Sequence, residues 1–291
     1  HPNTAARSLA SPVLRTVGVL FRRQRSTIDA NDLGYVDGVR RALEPSGIQV
    51  VIPIVKSSAP LIELRSLVRS GALGGVILMD VAQGDEREAM LLKEGIPTVL
   101  IGSSGSSGGA PGVDTDFAQM ACAAVDHLAG LGHRRIVALM RETVSDESHA
   151  RQDQARELLR AAGELAVDVL VRQVPELALA GGDIVGVDGL VDGCTAVISN
   201  NPAALVGLAC AAQAYGLSVP ADLSVLTLGV TEYRGRQGEA FSELSVDREA
   251  MGAAAGSLLL TRLRGEPAPV EHRTLMSAVL TDYGSTARCR D

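Results

Sequence analysis

The sequence contains no tryptophan, and only four tyrosines and three phenylalanines among 291 residues. Its core must therefore be aliphatic, and few rings are on hand to stack on a flat ligand. Lysine is almost absent as well, at positions 56 and 93 alone, so arginine carries nearly all the positive charge of a chain whose net charge is −7. No run reaches the roughly 18 uninterrupted apolar residues of a membrane-spanning helix, and no signal-peptide pattern opens the chain, which leads to the expectation of a cytoplasmic protein. The four cysteines, Cys122, Cys194, Cys210 and Cys289, show no C-x-x-C spacing. Neither a zinc site nor a disulfide framework is indicated. Arg22-Arg23-Gln24-Arg25 follows the first apolar run where a dinucleotide site would carry G-x-G-x-x-G. None of the five histidines sits in a metal-ligand pattern such as H-E-x-x-H. We expect no catalytic constellation, no metal and no cofactor, hence no enzyme; His133 is read as a hydrogen-bonded structural histidine.

What is present is an alternation. Apolar runs at Val17 to Phe21, Val50 to Val55, Val76 to Met79, Thr98 to Ile101, Ile136 to Met140, Val167 to Val171, Ala196 to Ser199 and Leu223 to Leu228 are separated by helical windows such as Gly34 to Leu43, Asp116 to Gly130 and Gln152 to Ala162. Continuous apolar strands alternating with helices predict parallel sheets covered on both faces, an α/β fold. One loop, Gly102 to Gly112 (GSSGSSGGAPG), stands out. It reads either as a flexible surface loop or as a backbone cradle for phosphate, without the Lys-Ser/Thr of a P-loop.

In open parallel sheets a ligand sits beyond the carboxyl ends of the strands. The loops there carry Arg22, Arg23 and Arg25; Asn31 and Asp32; Asp80; Asp114 and Asp116; Ser145, Glu147 and Arg151; and Asn200 and Asn201. Amides, carboxylates and an arginine fork suit a hydroxyl-rich or anionic small molecule. Asn31 and Asp116 each precede a helix, so they serve either as caps or as ligand contacts.

The first residues have a different character. From His1 to Ile28 there are five arginines and no acidic residue, a local positive end that suits a polyanion. Asn3 or Thr4 can cap a helix of about two turns that Pro12 stops, and a helix that short needs a partner to form. Asn3 to Ser11 (NTAARSLAS) followed by Thr16 to Leu20 (TVGVL) resembles the hinge helix and first core strand of the lactose-repressor (LacI/GalR) family of transcription regulators. Leu131 to Leu139 (LGHRRIVAL) resembles that family's strand entry, and Thr195 to Ala204 (TAVISNNPAA) its T-A-x-x-x-x-N-D-x-x-A segment. Arg151 matches the Arg of its R-x-x-G-F helix, and Tyr283-Gly284-Ser285-Thr286 resembles its closing R-x-S-T.

The resemblance implies two Rossmann-like parallel-sheet subdomains of the type I periplasmic-binding-protein kind. A hinge helix at 1–12, disordered without DNA, would precede them. The N-terminal subdomain would take 13–141 and 244–268, and the C-terminal one 142–243 and 269–291, with the chain crossing near Arg141, Glu243 and Pro269. It also implies a homodimer without its upstream DNA-reading headpiece. An effector would lie between the subdomains, with Arg151 as a ligand contact, while Asn3, Ala6, Arg7 and Leu9 meet operator DNA. A sugar-transporter solute-binding protein, which shares the fold, is the alternative. Two departures bear on the ligand. Gln154-Ala155 stands where the family has Gly-Phe, and Thr227-Leu228-Gly229-Val230 lacks the carboxylate that family members direct at ligand hydroxyls.

Overall fold

A computed structural model describes residues 16–22, 30–54, 60–107, 109–141, 149–174, 193–229, 240–266 and 273–290, and resolves the apolar runs into two sheets. The hinge residues Asn3, Ala6, Arg7 and Leu9 lie outside the described residues, as do Arg23, Arg25, Ser145 and Glu147.

The first sheet contains β1 (Thr16–Leu20), β2 (Gln49–Val51), β3 (Gly75–Leu78), β4 (Thr98–Ile101), β5 (Gly112–Thr115) and β11 (Arg273–Met276), in the order β2-β1-β3-β4-β5-β11. The strands from β2 to β5 pair in parallel. Helices α1 (Ala30–Leu43), α2 (Pro60–Arg69), α3 (Glu86–Lys93) and α7 (Arg248–Leu263) accompany them. Every residue of β3 and β4 is buried, as strands covered on both faces require. The core joins Leu20, Leu78 and Leu100 of the sheet to Leu64 and Val68 of α2 and Met90 and Leu91 of α3.

The second sheet repeats the plan with β6 (Arg135–Arg141), β7 (Asp168–Val174), β8 (Ala196–Ser199), β9 (Ser224–Leu228), β10 (Ser242–Ser245) and β12 (Val279–Thr281), ordered β7-β6-β8-β9-β10-β12. Only the last pair, β10 with β12, is antiparallel among the strand pairs described in this sheet. Its helices are α4 (Phe117–Gly130), α5 (His149–Glu164) and α6 (Pro202–Ala214). Val137, Leu139, Val197 and Val225 meet Leu205 and Leu208 of α6 in its core.

The chain divides into two units. The first holds the residues up to Asp114, Glu147–His149 and Asp247–Met276, and the second holds Thr115–Asp146, Ala150–Val246 and Ser277–Asp291. Residues 115–141, expected in the first subdomain, therefore belong to the second, because β6 pairs with β7 and β8. Helix α4 follows it there: Gln119 Oε1 accepts from the Ala278 N–H at 2.8 Å and Gln119 Nε2 donates to the Ala278 carbonyl at 3.1 Å. The chain leaves the first unit after β5, not near Arg141, and its last passage to the second unit follows Met276, not Pro269, because β11 joins the first sheet.

The amino end of the second sheet is closed by polar side chains. His133 is 2% exposed; its Nδ1 lies 2.8 Å from Thr195 Oγ1 and its Nε2 3.0 Å from both Ser224 Oγ and the Ala287 carbonyl. Burial lowers its pKa, so it stays neutral near pH 7, in keeping with the structural role read from the sequence. Ser285, in the closing motif, donates from Oγ to the Val225 carbonyl at 2.6 Å and accepts from the Ser242 N–H at 2.7 Å, fastening the C-terminal segment to β9 and β10.

Candidate functional site

At the carboxyl edge of the first sheet the chain turns at Phe21 and Arg22 after β1, and at Asp80 after β3. Arg22 and Asp80 are half-buried. Asp80 holds the left-handed conformation, φ 49°, which an aspartate tolerates better than most residues.

Beneath these turns lies a pair that sequence inspection passed over. Arg87, on α3, donates from Nε to Asp85 Oδ1 at 3.0 Å and from Nη2 to Asp85 Oδ2 at 2.7 Å. It also donates to the strand-end carbonyls of Leu20 at 3.4 Å, Met79 at 3.0 Å and Asp80 at 3.3 Å. Asp85 in turn caps α3 through the Arg87 N–H and holds the Ala82 N–H. Burial pushes the Asp85 carboxyl up, but the Arg87 hydrogen bonds and charge, with those two N–H groups, outweigh it and leave it below its ordinary value. One guanidinium thus ties the ends of β1 and β3 to the start of α3. Nothing in the local sequence marks Arg87, since its partners Leu20 and Met79 come from other strand ends.

The glycine-rich loop is exposed at Gly105 to Ser107 but anchored on either side. Ser104 and Ala110 are buried, and the Ala110 N–H donates to Glu88 Oε1 at 2.7 Å. The N–H groups of Gly102, Gly105, Ser106 and Gly109 are also taken, by Val113, Ser103, Ser104 and Ser106. With these described donors occupied and a buried carboxylate beside them, they are not available to cradle a phosphate.

Several other expected ligand residues have structural partners. Asp114 is buried and ion-paired to Arg273. Asp116 caps α4, accepting from the Gln119 N–H at 2.9 Å, the capping alternative read from the sequence. Asn201 is fully buried; its Oδ1 caps α6 at the Ala204 N–H, 3.3 Å away, and its Nδ2 donates to the Val174 carbonyl at 3.3 Å. Asp32 is half-buried in the first turn of α1. The side chains of Asn31 and Arg151 lie outside the described residues, although both residues sit in helices, α1 and α5.

Asn200 is different, because it belongs to a chain of amides at the carboxyl edge of β6 and β8. The Arg141 N–H donates to Asn200 Oδ1 at 2.7 Å, and Asn200 Nδ2 donates to Gln154 Oε1 at 2.6 Å. Gln154, on α5, stands three residues after Arg151, so the two share a helix face one turn apart. Of the expected residues, the structure brings Asn200 into the neighbourhood of the Arg151 turn. The connecting residue, Gln154, was visible in the sequence only as a departure from the R-x-x-G-F pattern.

Among the described residues no helix is long and apolar enough to cross a membrane. No group of three or more His, Cys, Asp or Glu among them is placed to hold a metal ion.

Two α/β units with parallel sheets and interrupted chain crossings define the class of ligand-binding domain known from periplasmic binding proteins. Residues 125–286 match the periplasmic binding protein-like domain, and the chain belongs to that family. It takes the form of the domain that LacI-family transcription regulators carry: a LacI-family regulator from Bifidobacterium animalis subsp. lactis superposes with a TM-score of 0.81 at 18% identity, covering 95% of this chain and 99% of that one. A transcriptional regulator CelR–cellobiose complex superposes with a TM-score of 0.80 at 21% identity, covering 93% and 84%. In sequence, the HTH-type transcriptional regulator MalR of Streptomyces coelicolor is 28% identical over 238 residues, 77% of this chain and 67% of the relative. An HTH-type regulator from the aml 5′ region of Streptomyces limosus is 28% identical over 210 residues, 69% of this chain and 59% of the relative. The chain thus spans about three-fifths to two-thirds of the length of these relatives.

Proposed function

We propose that this chain is the effector-binding part of a ligand-responsive bacterial repressor. It binds a sugar or sugar derivative at the carboxyl edges of its sheets, and binding controls attachment to operator DNA. The amide chain Arg141–Asn200–Gln154, set one turn from Arg151 at the edge where open parallel sheets bind ligands, carries this reading. The relatives named as transcription regulators favour a repressor over a transporter's solute-binding protein. The cellobiose bound by CelR favours a sugar-like effector.

Arg151 is the ligand's principal charged contact. Arg151→Ala is expected to lose roughly 1.5–3 kcal/mol of effector affinity, the worth of a charge-assisted hydrogen bond. A thermal-shift screen of sugars and sugar derivatives identifies the ligand, since one that binds only the folded state raises its melting temperature. Calorimetric titration of the variant then measures the loss. An unchanged affinity removes Arg151 from the site.

Residues 1–12 act as the hinge helix of a homodimer, with Leu9 wedged into the minor groove at the centre of a palindromic operator. In the protein with its DNA-reading segment, Leu9→Ala is expected to weaken operator binding by up to a few kcal/mol and to leave non-specific, salt-dependent binding nearly unchanged. Binding isotherms on operator and random DNA test this. Equal loss on both, or none on either, rules out groove reading by this segment.

A further inference from the structure

We propose that the carboxyl edge of the second sheet takes an acceptor-rich, anionic effector, a sugar phosphate or sugar acid, and that Gln154 selects for it; this rests on the effector-binding function proposed above. The orientation of the amide chain supplies the reason. A backbone N–H can only donate, so the Arg141 N–H, 2.7 Å away, fixes Oδ1 as the Asn200 atom turned toward it. Asn200 Nδ2 is thereby turned to Gln154, whose facing atom must be the acceptor Oε1, at 2.6 Å. That leaves Gln154 Nε2 directed at Met120 Sδ, 3.7 Å away.

A thioether is a weak acceptor. Among the described residues no stronger one faces Gln154 Nε2, although Gln154 is only 9% exposed. Asn200, equally buried, has spent one of its two amide hydrogens. Under-used donors at this depth are unfavourable unless something accepts from them. They lie at the strand ends, one helical turn along α5 from position 151, so among the described residues the under-used polar atoms of this amide chain are donors.

Among the described residues, the side-chain acceptors at these strand ends that would suit a neutral sugar's hydroxyl donors are engaged elsewhere. After β9 the chain reads Leu228-Gly229-Val230, with no carboxylate. Ser199 Oγ donates to the Leu139 carbonyl at 2.8 Å and accepts from the Asn201 N–H at 3.0 Å. Glu243, a buried carboxylate, lies on β10, two strands from β8, and accepts from Ser245 Oγ at 3.1 Å. A donor-rich edge of this kind complements phosphate or carboxylate oxygens.

The test titrates the chain with glucose 6-phosphate, fructose 1,6-bisphosphate, gluconate and glucuronate against glucose, maltose and cellobiose, with inorganic phosphate as control, by thermal shift and calorimetry. The anionic compounds are expected to bind more tightly than their neutral counterparts, and the phosphate and carboxylate arms show which anion is preferred. Gln154→Glu keeps an acceptor for Asn200 Nδ2 but replaces the free donor with negative charge. It is expected to weaken binding of the preferred anion about tenfold or more, with a smaller effect on neutral sugars and a near-wild-type melting temperature without ligand. Gln154→Leu, which removes the donor without adding charge, is expected to fall between. The proposal is overturned if neutral sugars bind as tightly as the charged analogues, if inorganic phosphate matches the sugar phosphates, or if Gln154→Glu leaves anion affinity unchanged. Binding of neutral sugars alone defeats only this proposal. If no compound of either kind binds, the effector-binding function itself fails with it.

Discussion

Gly252→Ala is expected to destabilise the first unit by about 3 kcal/mol or more, at the upper end of what overpacking costs. Helices α1 and α7 approach so closely that a Cβ on Gly252 would stand 2.0 Å from the Tyr35 carbonyl oxygen, and one on Gly38 would stand 2.0 Å from the Glu249 carbonyl oxygen. In both cases the obstructing atom is helix backbone, which cannot swing aside as a side chain can. The helices would have to separate, and the buried Val39, Ala255 and Leu259 between them and the sheet would lose contacts. Chemical denaturation followed by far-UV circular dichroism measures the effect. Gly163→Ala in α5 is the control, because nothing lies within 4 Å of a Cβ there; it is expected to stabilise by about 0.5–1 kcal/mol through helix propensity. Equal midpoints for Gly252→Ala and wild type would mean that the two helices have room to spare.

Arg87→Met is expected to cost about 3–5 kcal/mol, the penalty for stranding a buried charge. The Arg87 and Asp85 side chains are only 10% and 3% exposed, and water would not replace the guanidinium. Arg87→Met/Asp85→Asn is expected to be less damaged than Arg87→Met alone, since the asparagine keeps an oxygen for the α3 cap and leaves no unpaired carboxylate. The effect depends on pH with a definite sign. Asp85 has its pKa lowered in the folded state, so its contribution is present in full above the ordinary carboxyl range and is lost as pH falls through the lowered value. The difference between wild type and Arg87→Met should therefore be largest near neutrality and shrink in acid. A gap that stays constant down to pH 3 would mean that the carboxylate charge is not what Arg87 stabilises.

The central strands were legible because each is an apolar run. β1, β3, β4, β6, β8 and β9 all fall within a residue or so of the expected runs, since a strand buried on both faces excludes polar side chains. β5 (Gly112–Thr115) and β10 (Ser242–Ser245) were not, because GVDT and SELS carry polar residues whose burial depends on distant partners: Arg273 for Asp114, and Asp282 and Ser285 for Ser242. The strands β11 and β12 at the sheet edges are largely exposed and have no apolar period to detect.

The helix caps show the same division. That Asp116 stands at a helix start was readable in order along the chain, because a cap bonds to an N–H three residues away; Asn201 caps α6 with the same spacing but was read only as a ligand contact. Gln154 meets Asn200 across 46 residues and Arg87 meets Leu20 across 67, separations that no local pattern encodes.

The sequence by itself determined the α/β class, the aliphatic core strands and the likeness to regulator effector domains, because hydrophobic period, capping chemistry and short motifs are local properties. Only the tertiary structure decided that residues 115–141 join the second unit, that Arg87 braces the ends of β1 and β3, and that Gln154 and Asn200 form one amide chain. An apolar strand can enter either of two similar sheets, and a polar side chain has many partners within reach; the choice rests on which neighbours the crossovers bring beside it.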